Sequence, residues 1–197
     1  MRITGDNGTS VFIDLNKQLH AFVTSRSEGE QAVSKGKAYN INTGWISSIS
    51  ADSALLYFKN NEDQNYHVEA IAVGIGDGTE SDIQSLYFVS DPTGGTLVDA
   101  ATDCNMIENR LIGSPNTLST GTLAYKATAS GQTLTGGNDA ALFAQTDKGR
   151  LFASIDFELQ KGKACGIRVE TALSSGNFKL YAALVGYIKD DNNERSI

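Results

Sequence analysis

The chain has 197 residues, with 16 Lys and Arg against 23 Asp and Glu, a net charge of −7 and 40% hydrophobic residues. That length suits one β-sandwich or barrel, and a chain of this size buries about 70% of its unfolded surface without a disulfide or metal to hold it. The negative balance repels nucleic-acid phosphates and anionic lipid alike, so neither nucleic acid nor membrane is expected as a partner.

Cys104 and Cys165 stand far apart with no CxxC spacing, which excludes a metal knuckle or redox motif. They are expected as buried free thiols, in keeping with assembly in a reducing cytoplasm. Met1–Ser10 is polar and the first apolar run, Val11–Leu15, is too short for a signal-peptide core. No stretch approaches the length of an apolar membrane span.

Two prolines, twenty glycines and abundant Ser, Thr and Asn predict short strands joined by tight turns. Val11, Ile13 and Leu15 alternate with Phe12 and Asp14, and Leu19, Ala21 and Val23 continue the rhythm, so Thr9–Thr24 reads as a hairpin or bent strand. Ser25–Ser34 is polar and reads as a loop or linker. Strands are predicted at Ala38–Asn42, Trp45–Ser50, Ala54–Lys59, Tyr66–Gly76 and Leu86–Ser90. In Tyr66–Gly76, His67, Glu69 and Ile71 are expected on one face, and Val68, Ala70 and Ala72 on the other. Asp103–Leu111 is the one predicted helix, with Asp103 as cap and Met106, Ile107 and Leu111 as its apolar side. Further strands are expected at Thr122–Ala127, Ala141–Gln145, Leu151–Gln160, Ala164–Thr171 and Phe178–Lys189. In Leu151–Leu159 the residues Leu151, Ala153, Ile155, Phe157 and Leu159 share one face. Asp190–Ile197 reads as a frayed charged tail.

Strands without intervening long helices argue for antiparallel sheets. The fold class predicted is all-β, an antiparallel jelly-roll β-sandwich over residues 36–189, with an N-terminal arm over 1–35. An immunoglobulin sandwich is disfavoured because Trp45 precedes both cysteines.

No constellation names a reaction. His20 and His67 are scattered and no G-x-S-x-G accompanies them. Asp156 and Glu158 lie two apart on one strand face, which reads as the wet side of a sheet rather than a hydrolytic pair. Asp77, Glu80 and Asp82 sit on a Gly-rich loop without the order of a calcium loop, so a solvated loop is preferred over a cation site. No cofactor and no metal is expected, and the chain is read as no enzyme. Tyr57, Tyr66, Tyr87, Tyr125, Tyr181 and Tyr187 could supply an aromatic platform. A glycan-binding or tail receptor-binding module is therefore the alternative reading.

Ala54–Asp63 followed by Val68–Gly76 resembles a strand–turn–strand unit of tailed-phage virion proteins. Gln160-Lys161-Gly162-Lys163 followed by Ile167-Arg168-Val169-Glu170 resembles the step into the penultimate strand of jelly rolls, including trimers of the TNF/C1q type. Lys179–Tyr187 resembles the closing strand of that group. The resemblance implies a jelly-roll virion structural protein of the capsid decoration (cement) type. Its implied partners are the major capsid protein and itself, as a homotrimer. Its implied place is the capsid surface of the virion, after assembly in the host cytoplasm. It also implies an N-terminal arm that reaches a neighbour. The β-prone run Val11, Phe12, Ile13 and Leu15 is the expected inter-subunit contact, because an apolar strand set apart from its sandwich needs a partner.

Overall fold

The computed structural model describes residues 2–4, 9–13, 19–23, 27–49, 52–76, 84–104, 106–145, 149–171 and 178–190. Near the N-terminus, β1 (Arg2–Thr4), β2 (Thr9–Ile13) and β3 (Leu19–Val23) form a three-stranded antiparallel sheet with β2 in the middle. A helix, α1 (Glu28–Ser34), comes next. The remaining strands are β4 (Ala38–Asn42), β5 (Ile46–Ile49), β6 (Ser53–Lys59), β7 (Tyr66–Ile75), β8 (Gln84–Ser90), β9 (Met106–Asn109), β10 (Leu123–Lys126), β11 (Asn138–Gln145), β12 (Gly149–Leu159), β13 (Ala164–Thr171) and β14 (Phe178–Ile188), with a short helix α2 (Thr96–Ala100) after β8.

These strands build two antiparallel sheets. One has the order β10-β6-β13-β8-β11. The other has the order β12-β7-β14-β4-β9, with β5 also paired to β14. The expected all-β antiparallel sandwich is therefore what the chain forms. Its core lies between the sheets, where Phe58 of β6 packs on Tyr66 of β7 at 4.7 Å and Phe88 of β8 packs on Phe157 of β12 at 4.6 Å. Such tilted ring pairs interdigitate the two layers and contribute beyond their buried area.

Residues 54–58 are buried at every position of β6. The segment after β10 continues along the edge of this strand: Ala127 N–H donates to the Leu55 carbonyl, and Ala54 N–H donates to the Gln132 carbonyl. A continuous apolar run, unlike an alternating one, is the sequence mark of a strand covered on both faces. β12 shows the opposite case. Its exposure alternates from Leu151 to Leu159, with the five predicted residues turned inward.

Three expectations change. Ser25–Ser34 is not all loop, because α1 begins behind Ser27. The Ser27 side chain accepts from Glu30 N–H at 3.2 Å, and the Glu30 carboxylate accepts from Ser27 N–H at 3.0 Å. This reciprocal capping box satisfies two of the donors a helix start leaves open. Residues 103–111 do not form a helix. Met106–Asn109 is strand β9, paired antiparallel to β4 with Ile107 opposite Ile41. An available sheet edge offers the backbone partners for all of these residues, which a helix of one or two turns could not match.

In β7, Ile71 falls on the core side with Val68 rather than with His67 and Glu69. A register shift opposite Val185 and Gly186 inserts Glu69 as an extra residue and reverses the parity beyond it.

Candidate interaction surface

The expected contact residues Val11, Phe12 and Ile13 stand in β2, and Leu15 lies outside the described residues. The backbone of β2 is paired on both sides: Val11 stands opposite Ile3 and Ala21, Phe12 opposite Arg2 and His20, and Ile13 opposite Leu19. The hairpin expected over this segment is present, and β1 extends it. Any strand added by a neighbour would therefore join β1 or β3, since the central strand has no free backbone edge.

A second surface is the outer face of the six-stranded sheet. One half of it carries α1. Ala32 and Val33 pack on Ala38 and Tyr187, and at Gly29 the helix comes so close that an added Cβ would meet Glu69 Oε1 at 2.2 Å. Polar bonds fasten the margins. The Tyr187 hydroxyl donates to Glu28 at 3.2 Å, while Lys35 and Lys37 each reach Asp190 at 2.5 Å. Arg110 binds Glu69 at 2.6 Å, and Lys189 binds Glu158. Burial, with Glu28 next to it, pushes the Tyr187 hydroxyl well above its ordinary pKa. The Lys35 and Lys37 bonds hold Asp190 below the usual carboxylate range, and Lys189 does the same for Glu158.

The other half of the face carries small residues and two exposed aromatic rings. Phe152 of β12 stands opposite Ala72 of β7, Ala72 opposite Ala183 of β14, and Ala183 opposite Asn42 of β4. Phe152 is 66% exposed. Trp45, 50% exposed, lies 5.9 Å from the Tyr181 ring and close over Gly76. Large apolar groups gathered on one sheet face mark a contact surface more often than isolated ones do.

Side chains that might carry chemistry are not gathered in this way. His67 Nε2 lies 3.4 Å from Asp156, whose side chain is 90% exposed, and its ring rests 4.8 Å from Tyr187. His20 stands in β3. Cys104 and Cys165 are free, partly and fully buried respectively. Among the described residues, no group of three or more His, Cys, Asp or Glu could hold a metal ion. Asp77, Glu80 and Asp82 lie outside them. Of the tyrosines, Tyr57, Tyr66 and Tyr187 are buried, and Tyr87 is covered by the Arg168 guanidinium at 3.9 Å. Tyr125 stacks on Tyr57 at 6.0 Å, which leaves half-buried Tyr181 beside the exposed Trp45 as the remaining aromatic pair. This pair was not legible from spacing, because Trp45 and Tyr181 are brought together only by the pairing of β5 with β14.

Fold and surface together define an antiparallel β-sandwich with an appended N-terminal sheet and one sheet face half covered by its own helix. No helix among the described residues is long and apolar enough to cross a membrane. No family model and no curated protein matches the chain. Among solved structures it is weakly similar to infectious bursal disease virus, Gt strain, at 12% identity and TM-score 0.23, covering 99% of this chain and 52% of that one. It is similar in the same way to the Gx strain, at 11% and 0.21, covering 100% and 52%. For T=1 particles derived from infectious bursal virus the values are 11% and 0.22, covering 100% and 50%. The chain spans about half the length of these viral chains, and TM-scores in this range do not establish a shared fold.

Proposed function

We propose that the chain is a non-enzymatic structural protein of a virus particle, a capsid decoration (cement) protein of a tailed phage that binds capsid subunits and itself. The observation that carries this reading is the outer sheet face, where Phe152 and Trp45 stand exposed beside a helix the chain lays across the other half. Exposed aromatic rings on a sheet face suit protein contact, whereas catalysis needs convergent polar groups in a recess. The strand order supports the jelly-roll resemblance. With β5, β9 and β10 set aside, the sheets read β4-β14-β7-β12 and β6-β13-β8-β11, and the chain repeatedly crosses from one to the other. The major capsid protein is the proposed partner, the capsid surface the proposed location, and three-fold self-association the form the resemblance implies.

The test is to add purified protein to undecorated capsids and sediment them. Co-sedimentation that saturates at a fixed ratio per capsid is expected. Absence of binding, or turnover of an ester, glycoside or peptide abolished by one substitution, overturns the reading. One observation favours a second reading, a glycan-binding module: the exposed Trp45 ring beside half-buried Tyr181. Specific binding on a glycan array, lost in Trp45→Ala, would place that reading first.

A further inference from the structure

We propose that β12 is a self-complementary sheet edge, at which a second copy of this chain adds its own β12, antiparallel and centred on Ser154. This inference does not depend on the virion reading. β12 runs eleven residues and, among the described residues, pairs on one side only, with β7. The far edge of the same sheet ends in β9, four residues long, and the five-stranded sheet ends in β10, also four. A long edge presents a row of backbone donors and acceptors on its open side, and another strand satisfies them best. Short edges do so far less.

The sequence of β12 says which strand fits. In an antiparallel pair, residues directly opposite share a face. Full overlap of Gly149–Leu159 with itself sets Ser154 against Ser154. It also sets Arg150 against Glu158, Phe152 against Asp156 at outward positions, and Leu151 against Phe157 and Ala153 against Ile155 at core-facing ones. The two-fold axis makes each unlike pair occur twice. The register thus sets an arginine against Glu158, which Lys189 also binds, at two places, with no like charges directly opposite and apolar residues against apolar residues on the inner side. The register of maximum overlap is also a register of charge complementarity. A shift by one residue would bring inward residues against outward ones.

The bulge between Ser154 and Phe157 lies in the pairing with β7, and the alternation of exposure continues through it, so the open edge keeps the period of a strand. β11, the other long edge, lacks this property: Asp139 is its one charged residue, so overlap of β11 with itself sets no opposite charges together.

The test is the mass of the full chain in solution across a dilution series. Twice the 21.0 kDa of one copy is expected, or a higher even multiple, such as the six copies that two-fold edges joining two trimers would give. Ser154→Lys places two lysines face to face on the axis at an exposed position, and should halve the mass with an unchanged circular dichroism spectrum. Arg150→Glu should do the same, and the swap Arg150→Glu with Glu158→Arg should restore the larger mass. A wild-type mass of one or three copies overturns the proposal, as does an even mass that Ser154→Lys leaves unchanged. Should Arg150→Glu fail to fold, Ser154→Lys decides alone.

Discussion

The Tyr187 hydroxyl donates to the Glu28 carboxylate at 3.2 Å and joins the first turn of α1 to β14 across 159 residues of chain. The ring of Tyr187 is buried beneath the same helix, against Ala32 and Ala38. Tyr187→Phe keeps that packing and removes the bond. A hydrogen bond to a partly exposed charged group contributes about 1 kcal/mol. The variant should lose that much on chemical unfolding, with faster amide exchange in α1 than elsewhere. Unchanged exchange in α1 would show that the helix is held by its apolar face alone.

The same margin carries a pH dependence. Asp190 and Glu158 have pKa values lowered by Lys35, Lys37 and Lys189, so in the unfolded chain they bind protons more readily than in the folded one. Lowered carboxylates stabilise fully above their unfolded pKa, about 4 by ordinary values, and that stability is lost as pH falls through the folded values. Unfolding midpoints should thus be flat from neutrality to about pH 5 and should fall below about pH 4. In Asp190→Asn the low-pH decline should be shallower. An equally steep decline in that variant would show that other carboxylates govern it.

Tyr66 is fully buried and its hydroxyl has no hydrogen-bond partner among the described residues. Burial pushes its pKa far above the ordinary tyrosine value. An unsatisfied buried hydroxyl costs about 1–3 kcal/mol, so Tyr66→Phe should leave stability unchanged or raise it by about 1 kcal/mol. A loss of stability in thermal unfolding would show that the hydroxyl is bonded after all.

The thiols should be inert in the native protein. Burial pushes Cys104 up to about 12 and Cys165 higher still, and the thiolate is the reactive form. An aromatic disulfide reagent at pH 8 should titrate neither thiol until denaturant is added, and then both. Rapid reaction of one thiol in the native state would contradict this placement.

Where burial followed a simple period, the sequence carried the fold. Ala38–Asn42 and Ala164–Thr171 are strands at their predicted bounds, and the Leu151–Leu159 alternation gave the correct inward face. Helix α1 was harder to see because only Ala32 and Val33 supply its apolar side, yet Ser27-x-x-Glu30 is a readable capping box. Met106, Ile107 and Leu111 fit a helix as well as a strand, and long-range pairing with β4 decides between them. The parity reversal at Glu69 depends on the register of a partner more than a hundred residues away, which local pattern does not encode. For the same reason the row of Phe152, Ala72 and Ala183 could not be assembled from spacing.

The most direct test of the account is whether attachment needs the N-terminal sheet, the contact that the resemblance implies, as well as the face around Phe152 and Trp45. Because α1 packs on the sandwich, the cut belongs before Ser27, which removes β1 to β3 and leaves the helix in place. The account predicts that a chain lacking residues 1–26 keeps its circular dichroism spectrum and cooperative unfolding but no longer sediments with undecorated capsids that the full chain coats. A truncated chain that coats the capsids as well as the full one would contradict it.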